Sequence, residues 1–147
     1  MRALADHLTA SSPTAYDKAK AIEQHLQSME YTLEVDPPPF NADGIDHFLF
    51  TLRKGYSEYF SSAMTVMLRS QGIPARMVTG YTTGDKVKDH DIYIVTDSHS
   101  HGWVEVFFPN YGWIPFEPTP GAKLPPTFVP GPLTRNDQGP GLSLIHI

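Results

Sequence analysis

The sequence contains no cysteine. Disulfides, thiolate metal sites, iron–sulfur clusters and a thiol nucleophile are therefore excluded for the chain as written. The absence also removes the usual indicator of redox compartment, because disulfides persist mainly in oxidising environments.

Basic residues and long apolar runs are also scarce. Lysine and arginine number 11 against 16 acidic residues, which gives a formal net charge of −5. Without a basic face to neutralise phosphates, no nucleic-acid partner is expected. No stretch approaches the roughly 20 apolar residues of a membrane-spanning helix, and the N-terminus lacks the apolar core of a signal peptide. We therefore expect either a cytosolic protein or a soluble piece of a longer chain.

The remaining composition is that of one packed domain followed by a tail. The 147 residues are 40% hydrophobic and 12% aromatic, which suits a globular core. Residues 118–147, in contrast, hold seven of the 14 prolines and four of the 11 glycines. These contrasts predict a folded domain over 1–121 and an extended Pro/Gly-rich linker or tail over 122–147. One interpretation of its final Gly-Leu-Ser-Leu-Ile-His-Ile is a cloning scar.

Apolar spacing predicts that the first half of the chain is helical. A first helix follows a Ser12 cap and ends near Met29. A strand-like segment over 31–35 then meets three consecutive prolines, which force an extended break. Asp43 opens a second, short helix over 45–52.

A third helix is predicted over 57–71. At about 100° per residue, Ser57 lies within about 60° of three apolar side chains around the helix axis. These are Phe60, Met64 and Leu68. Ser57 therefore heads the buried stripe of this helix, although an N-cap is the competing interpretation of a serine at a helix start.

Strands are predicted in the second half, over 75–82, 92–96, 101–108 and 113–117. The last two flank a turn and form a hairpin with aromatic residues on both arms. Because the helices come first and the strands second, the fold class is α+β with an antiparallel sheet.

Three polar residues lie on these elements or at their ends. Ser57 stands at a helix N-terminus, His101 on one strand and Glu117 at the end of the next. A hydroxyl, an imidazole and a carboxylate are the parts of a nucleophile–base–orienter triad. The free N–H groups of a helix N-terminus also favour an anionic nucleophile or an oxyanion.

Four sequence blocks, in the same order, resemble bacterial transglutaminase-like domains. Arg-Lys-Gly-Tyr-Ser-Glu-Tyr-Phe-Ser-Ser-Ala-Met at 53–64 and its continuation over 68–81 are similar to that family's nucleophile helix. His-Gly-Trp-Val-Glu-Val at 101–106 and Gly-Trp-Ile-Pro-Phe-Glu-Pro-Thr-Pro at 112–120 resemble its histidine and aspartate motifs. The resemblance covers roughly residues 13–121.

The resemblance implies a papain-like core in which the nucleophile helix packs on an antiparallel sheet. By position, Ser57 takes the nucleophile site, His101 the general-base site and Glu117 the site of the orienting carboxylate. The implied chemistry is acyl transfer or hydrolysis on glutamine-type or peptide amides, with a protein or peptide substrate and an amine or water as acceptor. No cofactor or metal is implied. Many relatives are soluble extracytoplasmic domains of membrane-anchored bacterial chains, which is the expected location here.

Two of these three positions depart from the family pattern, whose nucleophile is cysteine and whose third residue is usually aspartate. A serine hydroxyl is far less acidic than a thiol, so we expect little or no turnover. The extra methylene of Glu117 is a milder change, since glutamate also orients an imidazole in some hydrolases. Three origins of Ser57 stay open: an engineered replacement that traps an inert enzyme, natural loss of the thiol, and a natural serine hydrolase.

Each site residue also has a purely structural interpretation. Taken alone, His101 would be a satisfied strand histidine and Glu117 a solvated strand-end carboxylate, but their neighbouring motifs favour the site. Glu58 and Glu105 are interpreted as structural residues or as residues that support the site from outside the triad, and neither as catalytic. His99 and His101 would share a strand face and suit a metal pair, although no third ligand stands at a recognised spacing. A non-catalytic domain that binds peptide or protein is the competing function.

Overall fold

The computed structural model describes residues 1–124. Its helices are α1 (Arg2–Leu8), α2 (Ala15–Gln27), α3 (Gly44–His47) with a π-helical turn (Phe48–Leu52), and α4 (Ser57–Ser70). Its strands are β1 (Glu30–Tyr31), β2 (Lys54–Gly55), β3 (Ala75–Tyr81), β4 (Asp85–Lys86), β5 (Tyr93–Ile94), β6 (Ser100–Phe108) and β7 (Gly112–Phe116). A 3₁₀ turn (Asp97–His99) leads into β6. The predicted tail over 122–147 lies almost entirely outside the described residues.

The main sheet has three antiparallel strands in the order β3–β6–β7. Its register places Ala75 opposite Val106, and Val104 opposite Phe116. Alternate residues of a strand point to opposite faces, and Val104 and Val106 are fully buried on the face against which α4 packs. The predicted α+β class is confirmed.

The hydrophobic core lies between α2, α4 and this sheet. The fully buried side chains of the two helices include Ile22 and Leu26 from α2, and Phe60, Met64 and Leu68 from α4. Burying side chains of this size contributes about 1.5–3 kcal/mol each, so this layer is the main source of stability. The core thereby fixes the position of α4, including the helix start at which Ser57 stands.

The N-terminus of α2 differs from the prediction. Thr14, and not Ser12, is the N-cap: its hydroxyl accepts from the Asp17 N–H at 3.1 Å, and the Asp17 carboxylate accepts from the Thr14 N–H at 3.2 Å. This reciprocal capping box needs an acidic residue three positions after the cap. The predicted Ser12 cap is therefore wrong, and the helix ends at Gln27 rather than near Met29.

Other segments also differ from the prediction. The strand expected over 31–35 is reduced to the short parallel pairing of β1 with β2, and the strand over 92–96 to the β5 partner of β4. The second helix changes to a π-helical turn after its first turn. Within residues 1–124, no helix combines the length and apolar character needed to cross a bilayer.

Candidate active site

Ser57 is the first residue of α4, and its side chain is directed into the protein. The N-cap is Tyr56, which makes no side-chain capping bond, so the interpretation of Ser57 as a cap is wrong. Ser57 is only 5% exposed, and the apolar residues that share its stripe are fully buried. The helical geometry expected from the sequence therefore holds at this position.

The first turn of α4 presents free main-chain donors beside strand β6. Neither the Ser57 nor the Glu58 N–H has an acceptor among residues 1–124. A β-carbon at Gly102 would lie 3.0 Å from the Ser61 hydroxyl oxygen and 3.8 Å from the Glu58 nitrogen. Glycine after His101 thus lets β6 approach the helix start closely. Two unpaired amides at a helix N-terminus suit a developing negative charge.

His101 and Glu117 form the central pair of the site. The imidazole Nε2–H donates to Glu117 Oε2 at 2.6 Å, and both side chains are largely shielded from solvent. The other carboxylate oxygen, Oε1, accepts from the Thr119 N–H at 2.9 Å. The longer glutamate side chain therefore reaches the histidine despite its additional methylene.

This pairing changes the acidity of the imidazole. The hydrogen bond that His101 donates to Glu117 raises the pKa of the imidazole above its ordinary value of 6.5, against the lowering effect of burial. The negative charges of Glu117 and Glu58 raise it further. With Nε2 donating to Glu117, the neutral ring has its lone pair on Nδ1, where it can accept a proton.

The structure does not join Ser57 to this pair by a hydrogen bond. Its hydroxyl donates instead to Glu58 Oε2 at 2.9 Å. Glu58, interpreted from the sequence as a structural or supporting residue, contacts Ser57 through its carboxylate and acts electrostatically on His101. The position of Glu58 next to Ser57 was visible in the sequence, but the rotamer that turns the Ser57 hydroxyl towards it was not.

Two residues of α2 that were not predicted for the site hold the main chain of Glu117. Glu23 Oε1 accepts from the Glu117 N–H at 2.9 Å, and Gln27 Nε2 donates to the Glu117 carbonyl at 2.7 Å. Glu23 is 4% exposed, so it is a buried carboxylate on the same face as Ile22. A charged residue on an apolar helical stripe is the sequence signal that could have revealed it.

The histidine pair considered for a metal is separated by the fold. His99 ends the 3₁₀ turn before β6 and accepts from the Thr96 N–H through Nδ1 at 3.0 Å. His101 contacts Glu117, so the two imidazoles have different partners. The described residues contain no group of three or more histidine or acidic side chains arranged to hold a metal ion.

Comparison with known proteins identifies the family. Residues 2–118 match the transglutaminase-like superfamily, and the chain therefore belongs to it. YebA of Bacillus subtilis, an uncharacterized protein, is 46% identical over 136 residues, 88% of this chain and 18% of that protein. The protein-glutamine gamma-glutamyltransferase of Pseudomonas aeruginosa is 36% identical over 118 residues, 80% of this chain and 18% of that protein. The chain thus spans less than a fifth of either curated relative.

Solved structures share the fold. The periplasmic domain of TgpA from Pseudomonas aeruginosa, bound to ethylmercury, matches with a TM-score of 0.70 and 37% identity over 80% of this chain and 42% of that one. The crystal structure of a TGase matches with a TM-score of 0.54 at 18% identity, which shows the fold alone. The predicted transglutaminase-like, papain-like core is confirmed.

Replacing Glu117 with glutamine should lower the pKa of His101, because the amide cannot hold a proton on the ring through charge. A raised folded-state pKa contributes stability below the unfolded value of 6.5, and that stability is lost as pH rises through the folded value. The stability advantage of wild type over Glu117→Gln should therefore be larger at about pH 6 than at about pH 9. NMR titration and denaturant unfolding measure both effects.

The matched control for this titration is Glu105→Gln, which removes a β6 carboxylate that pairs with Arg76 instead of His101. This variant should leave the pKa of His101 unchanged. An unchanged His101 pKa in Glu117→Gln would contradict the hydrogen-bonded pairing of His101 with Glu117.

Proposed function

We propose that this domain is the core of a thiol-type acyltransferase in which serine occupies the nucleophile position. In this assignment Ser57 marks the nucleophile, His101 is the base and Glu117 orients the imidazole. The substrate class is a glutamine-type or peptide amide on a protein or peptide. The name of the Pseudomonas aeruginosa relative, a protein-glutamine gamma-glutamyltransferase, supports that class.

One observation carries the proposal: the bond between His101 and Glu117, formed beside the open N-terminus of α4. A largely shielded imidazole whose pKa is raised by a carboxylate can hold a proton taken from a thiol. The helix amides at Ser57 and Glu58 can receive the oxyanion of a tetrahedral intermediate. These contacts support the assignment of a base, an orienter and oxyanion donors to the site at position 57.

With a thiol at position 57, the reaction follows two balanced steps. The thiol proton passes to His101, and the thiolate sulfur forms a bond to the amide carbonyl carbon. The carbon–nitrogen bond then breaks, and the departing ammonia or amine takes the proton from His101. An acceptor amine or water gives its proton to His101 and attacks the thioester carbonyl carbon. The carbon–sulfur bond then breaks, and the sulfur takes the proton from His101 to restore the thiol.

Serine at this position suppresses the first step. Its hydroxyl must lose a much less acidic proton, and it donates to Glu58 rather than to His101. A hydroxyl that is not joined to the base also fits a second candidate function, a non-catalytic domain that binds peptide or protein without turnover. We propose little or no turnover for the chain with Ser57, whether the serine is native or introduced.

The parent protein is proposed to be larger and extracytoplasmic. The related TgpA structure is that of a periplasmic domain, and the curated relatives are several times longer than this chain. We propose that residues 1–121 form the catalytic-type domain, and that 122–147 connect it to a further part of a membrane-anchored chain.

An amidase assay tests this proposal. The Ser57→Cys variant should release ammonia from a glutamine-containing peptide at least about tenfold faster than the wild-type chain, because a thiol is the better nucleophile. Adding a primary amine should divert the acyl group into an amide detectable by mass spectrometry. The double variant Ser57→Cys/His101→Ala is the control and should lose the gain. Peptide binding without ammonia release in Ser57→Cys would favour the binding domain.

A further inference from the structure

Helix α2 carries a buried carboxylate that the proposed chemistry does not use. Glu23 is 4% exposed, and its two oxygens have separate partners. Oε1 accepts from the Glu117 N–H at 2.9 Å, while Oε2 contacts the Lys20 ammonium. A charged group so deep in the protein is costly unless it is fully paired. Its hydrogen-bond partners therefore indicate which groups this carboxylate positions.

The main chain of Glu117 needs partners from outside the sheet. The β6–β7 ladder ends with Val104 opposite Phe116, one residue before Glu117. Pro118 follows and has no N–H to donate. Buried main-chain groups must be paired. Here Glu23 accepts from the Glu117 N–H, and Gln27 donates to the Glu117 carbonyl. Two side chains one helical turn apart thus make the main-chain hydrogen bonds that a neighbouring strand would otherwise make.

The same helix is tied to the nucleophile helix. Ile22 and Leu26 of α2 are fully buried in the core layer shared with α4. The face of α2 that packs in this layer also presents Glu23. Helix α2 therefore links the position of Glu117, and through it the orientation of His101, to the helix that carries Ser57.

We infer that Glu23 is a positioning residue of the site, assisted by Gln27. By holding the main chain of Glu117, it directs one carboxylate oxygen to His101 and leaves the other to the Thr119 N–H. A misplacement of about 1 Å at a catalytic group can cost about 10²-fold in rate, so this hold matters for chemistry as well as folding. The inference rests on the proposed function, since it assigns a task to the proposed orienting carboxylate.

Three variants separate positioning from simple packing. Glu23→Leu keeps the volume but removes the acceptor of the Glu117 N–H. The double variant Glu23→Gln/Lys20→Met keeps an acceptor oxygen and leaves no unpaired ammonium beside the new amide. Lys20→Met alone is the matched control, because it removes the ion pair without touching Glu117.

The first readout is the pKa of His101 in chains that retain Ser57, measured by NMR titration, which requires no activity. Glu23→Leu should lower this pKa in the same direction as Glu117→Gln. Lys20→Met and the glutamine double variant should leave it near the wild-type value. In the Ser57→Cys background, Glu23→Leu should slow thiol alkylation about tenfold and displace its pH–rate profile, whereas the glutamine double variant should restore both.

A purely structural role predicts a different result: a lower melting temperature with an unchanged His101 pKa and pH–rate profile, which would overturn the inference. If Glu23→Leu fails to fold, Gln27→Met decides instead, because Gln27 is exposed and its loss releases only the Glu117 carbonyl. An unchanged His101 pKa in Gln27→Met would then overturn the inference. If the pKa shifts appear but Ser57→Cys never reacts with substrate, the positioning role stands and the proposed function fails.

Discussion

The Ser57→Cys variant should be alkylated by iodoacetamide about 10²-fold faster than an ordinary cysteine at about pH 6. A free thiol of pKa about 8.5 is thiolate in only about 0.3% of molecules at that pH. A thiol that transfers its proton to a neighbouring imidazole is mostly thiolate under the same conditions. The chain contains no other cysteine, so the labelled thiol is unambiguous.

The geometry around position 57 supplies the expected effect. The N-terminus of α4 favours an anion, and Glu117 raises the pKa of the His101 that would carry the proton. The carboxylate of Glu58 acts in the other direction on the thiol, since it already contacts the side chain at this position. The same carboxylate also stabilises the protonated imidazole of His101, which partly offsets its unfavourable effect on the thiolate.

The matched control for alkylation lies at the other end of the same helix. Ser70→Cys introduces a thiol at the last residue of α4, where the negative end of the helix disfavours a thiolate. It should react at the rate of a free thiol or more slowly. The double variant Ser57→Cys/His101→Ala should lose most of the acceleration. Equal rates for the cysteines at 57 and 70 would refute the triad.

The sequence predicts the frame of this site because that frame rests on periodicity. Helical spacing alone places Ser57 on the stripe of Phe60 and Met64, and all three are buried. Strand alternation and turn residues predict the β6–β7 hairpin. The register of that hairpin then brings the end of β7 next to the start of β6, which is why His101 and Glu117 meet.

Contacts between elements distant in sequence are beyond such reasoning. Glu23 lies 94 positions from the main-chain group that it holds, and nothing in local propensity connects the two. The direction of the Ser57 hydroxyl, which donates to Glu58 Oε2, is likewise a rotamer that local propensity does not determine. The Thr14 cap is a different case, because its acidic partner at Asp17 is visible in the sequence and the competing Ser12–Pro13 signal obscured it.

Replacing Phe60 with alanine should lower the free energy of unfolding by about 3–5 kcal/mol, the usual cost of deleting a buried ring. Phe60 has no exposed surface and packs edge-to-face on Phe48, with 5.1 Å between the ring centroids. The cavity would open one turn from Ser57, between α4 and the π-helical turn. Since small domains are stable by only about 5–15 kcal/mol, such a loss would remove a large part of the free energy of unfolding.

The control for this cavity is Phe40→Ala, the same deletion at a fully exposed ring (101% relative exposure). Urea unfolding of both variants compares burial directly, because the atoms removed are identical and only their surroundings differ. Phe40→Ala should change the unfolding free energy by less than about 0.5 kcal/mol. A similar small change for Phe60→Ala would contradict the packed junction between α4 and the π-helical turn. A large change would mean that the buried ring contact between α4 and the π-helical turn stabilises the domain.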